Sequence, residues 1–303
     1  MKSGLLGIEG LSRTHIDAIL SRSHDFQPPP NEPFKRFDVL KGKTVVNLFF
    51  EASTRTRTSF EIAAKRLGAD VLSITASASS VSKGESLVDT LNTLGAMRPD
   101  AIVMRHAASG APHFLSRYLP VPIINAGDGT HEHPTQALLD ARTILDRCQT
   151  LDNLRIAIIG DIAHSRVARS NIYLLSKYGV QIVLCGPASL LPNEMKQMAP
   201  GVELTSDMRE AIRDVDVIMM LRVQLERQHE AAFPADEYFS FYGLRPEHIL
   251  LAKPNVIVMH PGPINRGREI SSEVADSQRS AILNQVENGI AVRMAVLERV
   301  LGQ

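Results

Sequence analysis

The sequence predicts an α/β fold: two domains, each with a parallel sheet flanked by helices, joined by interdomain helices. Three observations carry this prediction. Short apolar runs of strand length alternate with segments of helical spacing. The runs are continuous rather than alternating, as in strands covered on both faces. The length, 303 residues, suits two units at about 100–200 residues each.

In chain order, residues 44–50 (TVVNLFF) read as a buried strand. Residues 56–67 read as a helix with Phe60, Ala63, Ala64 and Leu67 on one side. Residues 71–75 are strand-like, and 85–96 are helix-like through Leu87, Leu91 and Leu94. Runs 101–104 and 121–125 complete a first strand set. Residues 133–147 form a helix with Pro134 in its first turn and Leu138, Leu139, Ile144 and Leu145 on its apolar face. A second set follows: strands at 154–159, 180–185, 215–221 and 256–259, and a helix at 165–178. A final helix covers 280–301, and the proline-rich stretch 27–33 is a loop. The expected plan is a first domain at 1–133 with the C-terminal helix at about 284–303, a bridging helix at 134–149, and a second domain at 150–283.

Composition narrows the function. Lys and Arg total 33, as do Asp and Glu, so the formal charge is zero. That argues against a general nucleic-acid or anionic-membrane surface, while leaving room for a local basic pocket. Two cysteines, Cys148 and Cys185, make neither a zinc tetrad nor a disulfide framework. The N-terminus lacks the apolar stretch of a signal peptide, and no run reaches spanning length. The expectation is a soluble cytoplasmic enzyme.

Chemistry concentrates at strand ends. Ser53, Thr54, Arg55, Thr56 and Arg57 sit between a predicted strand and a predicted helix. Helix N-terminal N–H groups, hydroxyls and a guanidinium fork together suit a phosphate. The plainer alternative is that Ser53 or Thr54 caps the helix and the arginines face water. No GxxxxGK[ST] run is present, so this is not a Walker-type loop. Residues 76–86 (ASASSVSKGES) form a small-residue loop with one cation, Lys83. On composition alone an ordinary surface loop is the favoured reading. Arg105 and His106 follow an apolar run, where a parallel sheet presents its ligand crevice.

The stretch 125–136 (NAGDGTHEHPTQ) combines a glycine-rich turn with His131, His133 and Gln136. His-x-His invites a zinc reading, but no third ligand of matching spacing lies nearby. An imidazole here can instead polarise a carbonyl, with Gln136 acting on the same ligand. The turn at Gly160 lacks the remaining glycines of GxGxxG, which weakens a dinucleotide reading. Arg166 and Arg169 follow it, Arg222 and Gln224 follow the strand at 215–221, and His260-Pro261-Gly262-Pro263 follows that at 256–259. Arginines at the strand ends of both units predict a small polyanionic ligand.

Six segments in order carry a resemblance: FFEASTRTRTSFE (49–61), SVSKGES (80–86), HPTQALLD (133–140), GDIAHSRVARSN (160–171), LRVQLER (221–227) and HPGPINRG (260–267). In these the chain resembles the transcarbamoylase family, and specifically its aspartate-using branch. The resemblance implies carbamoyl transfer from carbamoyl phosphate to the amine of L-aspartate, an early step towards pyrimidines. It implies a carbamoyl-phosphate domain followed by an aspartate domain. Carbamoyl phosphate would be held by Ser53, Thr54, Arg55, Thr56, Arg105, His133, Gln136, Pro261, Gly262 and Pro263. Aspartate would be held by Ser79, Lys83, Arg166, Arg222 and Gln224. Arg55, Thr56, Lys83, Arg105 and His133 would be catalytic, with Thr56, Arg105 and His133 on the developing oxyanion. No metal and no cofactor are implied. The partner implied is a homotrimer whose Ser79–Lys83 loop completes a neighbour's site; whether dihydroorotase, a regulatory chain or neither joins it in a larger assembly is left open by the resemblance. Gly262 stands where allosteric bacterial members have leucine, in the His-Pro-Gly-Pro form of dihydroorotase-associated members.

Competing readings predict other residues. An ornithine-using member would show His-Cys-Leu-Pro where His260 to Pro263 stand, and a Ser-Met-Gly loop. Arg222 would repel ornithine's ammonium. A non-catalytic scaffold would have lost at least one of Arg55, Lys83, Arg105, His133, Arg166 or Arg222. All six are present.

Overall fold

The computed structural model describes residues 4–29, 32–75, 87–223 and 235–302. The segment with Ser79 and Lys83, and Gln224, lie outside these residues. The chain divides into two units, Met1–Leu139 with Glu287–Gln303, and Asp140–Val286. Each is built on a five-stranded sheet that is parallel throughout.

The first unit contains β1 (Gly4–Leu5), α1 (Arg13–Asp25), β2 (Thr44–Phe49), α2 (Thr54–Arg66), β3 (Asp70–Thr75), α3 (Leu87–Ala96), β4 (Ala101–His106), α4 (Ala111–Leu115) and β5 (Ile123–Asp128). Helix α5 (Pro134–Cys148) begins there and continues into the second unit. The strand order is β1-β5-β4-β2-β3. Val46, Leu48, Ile102, Met104 and Ile123 cover one another on the sheet and pack with Leu94, Leu115 and Leu119. This is the burial that the continuous apolar runs require.

The second unit holds β6 (Arg155–Ile159), α6 (Arg166–Leu175), β7 (Gln181–Cys185), β8 (Val202–Thr205), α7 (Met208–Ala211), β9 (Val217–Met220), α8 (Ala235–Tyr242), α9 (Pro246–Ile249), β10 (Ile257–Met259) and α10 (Ser272–Ala275). Its strand order is β10-β9-β6-β7-β8. Helix α11 (Ile282–Leu301) starts in this unit and ends in the first. There Glu298 forks onto Arg22 of α1 at 2.6 and 2.7 Å, and Arg293 donates to Ser59 of α2 at 2.9 Å. No helix among the described residues is long and apolar enough to cross a membrane.

Three sequence expectations change in detail. Strand β4 runs through Arg105 and His106, which therefore end the strand rather than follow it. Helix α2 starts at Thr54, inside the polar run. Helix α5 is buried around its whole first part, including Thr135, Gln136, Asp140, Arg142 and Thr143, rather than on one apolar face. Cys185 is buried, Cys148 is partly so, and both are free.

Candidate active site

In both sheets the strand order reverses beside a central strand, and these switch points position the candidate residues. In the first sheet the chain passes from β2 to β3 on one side, then returns to β4 on the other. The gap outside the carboxyl ends of β2 and β4 is a switch point, where open parallel sheets bind ligands. The loop after β2 carries Ser53 to Thr56, and the end of β4 carries Arg105. Register brings them together: Phe49 pairs with Arg105, and the Phe50 N–H donates to the Arg105 carbonyl at 2.9 Å.

Ser53 occupies the N-cap of α2, yet its side chain makes no capping hydrogen bond. Side-chain capping by Ser53 is therefore not seen, while the other half of the plainer alternative, an arginine facing water, does describe Arg55. The first turn holds no acidic residue, so nothing there cancels the positive end of the helix dipole. Thr56 is buried, while Thr54 and Arg55 are exposed. Arg105 is anchored through Nε to Glu51 Oε2 at 2.9 Å, and Nη1 reaches the Ala126 carbonyl at 3.4 Å. Glu51 thus orients a guanidinium whose side chain is 13 % exposed.

His133 directly precedes α5, and its carbonyl accepts from the N–H groups of Gln136 (2.9 Å) and Ala137 (3.3 Å). Both His133 and Gln136 are buried. Two buried carboxylates fix the loop before them. Asp128 accepts from Asn125 Nδ2 (2.8 Å), Gly110 N (2.6 Å) and Glu132 N (3.1 Å). Burial pushes the Asp128 carboxyl up, but hydrogen bonds from His131, Asn125 and Gly110 outweigh it and hold it below its ordinary range. Glu132 accepts from Ile8 N at 2.8 Å and Glu9 N at 3.3 Å. Gly129 has a φ of +47°, and a Cβ there would lie 2.3 Å from Ser109 Oγ, so the turn demands glycine.

In the second sheet the switch point lies between β6 and β9. Arg166 is the first residue of α6 after β6; Ser165 caps that helix by accepting from Ala168 N at 3.1 Å. Arg222 lies just beyond β9, and Leu221 N donates to the Ile159 carbonyl at 2.7 Å. Gly160, at φ +141°, allows this approach: a Cβ would meet Leu221 Cβ at 2.9 Å. The absent glycines of GxGxxG therefore matter less than this one, which serves packing between neighbouring strand ends. Arg169, by contrast, turns back to donate to the Ala163 carbonyl at 3.1 Å.

Pro261, Gly262 and Pro263 follow β10, the neighbour of β9. The Gly262–Pro263 peptide is cis. His260 supports the turn: its Nδ1 accepts from Gly262 N at 2.8 Å, and its own N–H donates to Gln285 Oε1 at 2.9 Å. Gln285 donates in turn to Asp140 Oδ1 at 2.7 Å, and Asn171 to Asp140 Oδ2 at 2.9 Å. Glu269, fully buried, accepts from Val223 N (3.1 Å), Asn265 N (2.8 Å) and Asn265 Nδ2 (2.8 Å). Burial raises the Glu269 carboxyl, but His260, Asn265 and Val223 together bring it below its ordinary value. Glu51, Asp128 and Glu132 support the candidate residues of the first unit, and Asp140, Glu269 and Gln285 those of the second; sequence reading missed all six.

Two parallel-sheet units, each with basic residues gathered at its switch point, define a binder of small anionic substrates. The chain belongs to the aspartate/ornithine carbamoyltransferase family. The family's carbamoyl-P binding domain matches residues 4–146, and its Asp/Orn binding domain matches 152–300. Among its relatives is the aspartate carbamoyltransferase catalytic subunit of Solibacter usitatus, 80 % identical over 302 residues and the full length of both chains. The aspartate transcarbamoylase of Trypanosoma cruzi, solved with N-(phosphonacetyl)-L-aspartic acid, superposes with a TM-score of 0.89 at 33 % identity, covering 98 % of this chain and 95 % of that one. The ornithine carbamoyltransferase of Pyrococcus furiosus gives 0.87 at 29 % identity, covering 99 % and 97 %.

Proposed function

We propose that this chain is the catalytic chain of an aspartate carbamoyltransferase. It transfers the carbamoyl group of carbamoyl phosphate to the amine of L-aspartate, releasing N-carbamoyl-L-aspartate and phosphate. The full-length identity of 80 % to an aspartate carbamoyltransferase catalytic subunit carries this reading. Fold similarity alone does not separate aspartate from ornithine, since both kinds of relative superpose almost equally well.

In this reading Ser53, Thr54, Arg55 and Thr56 take the phosphate at the N-terminus of α2. Thr56, Arg105 and His133 stabilise charge on the carbonyl oxygen as the amine attacks. Gln136 and the backbone at Pro261 and Gly262, with Pro263 shaping the turn, hold the carbamoyl amide. Arg166, Arg222 and Gln224 receive the aspartate carboxylates and so align its amine. The neutral amine adds to the carbonyl carbon, the C–O bond to phosphate then breaks, the departing phosphate takes up the proton the nitrogen loses, and no covalent enzyme intermediate is needed.

The test is carbamoyl transfer by the purified chain at fixed carbamoyl phosphate, with L-aspartate or L-ornithine as acceptor. Carbamoyl-aspartate is the expected product, with citrulline at least about a hundredfold slower because Arg222 faces an ammonium where it needs a carboxylate. Citrulline as the main product overturns the reading.

The working unit in this proposal is a homotrimer in which Ser79 and Lys83 complete a neighbour's site. Mixing Lys83→Ala and His133→Ala chains, each inactive alone, then restores one intact site per hybrid trimer, about a third of normal activity. Absence of recovery in verified hybrids rejects the shared site.

A further inference from the structure

We propose that His113, Asp128 and His131 form a binding site for a divalent transition-metal ion, zinc above all, separate from the substrate residues. Their ligand atoms all lie within 4.8 Å of one another, all inside the first unit. The His-x-His pairing suggested by the sequence is not the one the fold makes. His133 leaves for the start of α5, while His131 turns to Asp128, Nδ1 to Oδ2 at 3.0 Å. The missing third ligand comes from α4: the His113 ring meets that of His131 edge-on, 5.5 Å between centroids.

Two observations point to an ion rather than to a plain histidine–aspartate pair. His113 Nδ1 is buried and has no hydrogen-bond partner among the described residues. A neutral imidazole nitrogen placed there has a lone pair or a proton left unmatched, at a cost that a metal bond removes. Asp128 is also already braced as metal-ligating carboxylates are. Its Oδ1 is held by Asn125 Nδ2 and Glu132 N, and Oδ2 faces the histidine side while accepting from Gly110 N.

Two imidazoles and one carboxylate suit zinc, cobalt or nickel, and not calcium or magnesium, which favour oxygen shells. Ligand atoms about 3.3 Å apart surround a tetrahedral zinc at its usual bond lengths of roughly 2.0–2.1 Å. Closure from spacings of up to 4.8 Å would come from rotation of the two imidazoles, which lie on one short helix and one turn. Three protein ligands leave the fourth position for water. The bound ion would tie α4 to the loop that ends at His133.

The experiment titrates the chelator-treated full chain with Zn²⁺ and with Co²⁺. It reads stoichiometry by calorimetry, the visible absorption of Co²⁺, and the melting temperature. The expected result is one ion per chain and a melting temperature several degrees higher at saturating zinc. His113→Ala and His131→Asn should each weaken binding at least tenfold and abolish the thermal shift. His164→Ala serves as the control, because His164 makes a comparable pair with Asp161 (Nδ1 to Oδ1, 2.9 Å) but lacks a second histidine in any such cluster among the described residues. It should bind like the wild type. Less than one ion per chain, or binding that survives both His113→Ala and His131→Asn, overturns the proposal.

Discussion

Arg105→Ala is expected to lower kcat/KM for carbamoyl transfer by a factor of about 10²–10³, the usual loss when one oxyanion donor is removed, which is the role proposed for it. Melting is expected to change far less than turnover. Arg105 ends β4 at the first switch point, and its backbone pairing with β2 survives truncation. What disappears is a largely buried guanidinium aimed by Glu51. Charge developing on a carbonyl oxygen interacts strongly with a fixed cation in such a site, because little water reorganises around it. Arg105→Lys restores the charge without the planar fork or its Nε anchor and should recover only part of the loss. Glu51→Gln keeps the guanidinium but loosens its aim, so kcat should fall less than in Arg105→Ala. Steady-state kinetics with both substrates varied separate these cases. Wild-type turnover in Arg105→Ala would remove the residue from the mechanism.

The sequence revealed the parts of the fold that depend on burial of continuous apolar runs. Strands β2, β4, β6, β7 and β9 all lie where such runs stand, because a parallel strand covered by helices on both faces tolerates few polar positions. It was silent where an element is too short to show a period, and it also passed over α1, a 13-residue helix that buries Ile16, Ile19 and Leu20. Strand β1 has two residues, and α4 is a five-residue helix containing Pro112. The polar first turn of α2 was also invisible, since Thr54 to Thr56 contribute no hydrophobic rhythm.

The candidate site was readable where its residues form compact motifs at strand ends. Its supports were not, for a physical reason. Aspartate and glutamate read as surface residues in a sequence, and only a fold shows which of them are buried and satisfied. Asp128 and Glu132 did leave a signal: both sit in a glycine-rich turn beside His133, where backbone N–H groups need acceptors. Glu269 left none, since its three bonds go to Val223 and Asn265, positions that no local motif connects.

That makes Glu269 the most informative residue to change in the second unit. Glu269→Ala strips acceptors from Val223 N, Asn265 N and Asn265 Nδ2, and leaves His260 Nε2, 3.8 Å away, beside a cavity. Losing a buried, multiply bonded carboxylate should cost about 3–5 kcal/mol of unfolding free energy. Glu269→Gln keeps the volume and one oxygen and should cost roughly 1–2 kcal/mol. In that milder variant the effect on binding is directional. Val223 follows Arg222, so loosening its N–H should raise KM for aspartate more than KM for carbamoyl phosphate, whose proposed turn Glu269 reaches only through Asn265 and His260. A purely structural role would move both equally or neither. Acid provides an independent reading. The folded carboxyl lies below its ordinary value, so its stabilisation is complete above the unfolded range, about pH 4–5, and is lost as pH falls through the folded value. Asp128 contributes with the same sign. Wild-type stability, measured by denaturant titration, should therefore fall more steeply on acidification than that of Glu269→Gln. Parallel curves would mean that Glu269 carries no charge worth holding in the folded state, and the three hydrogen bonds would then have to be explained by a protonated acid.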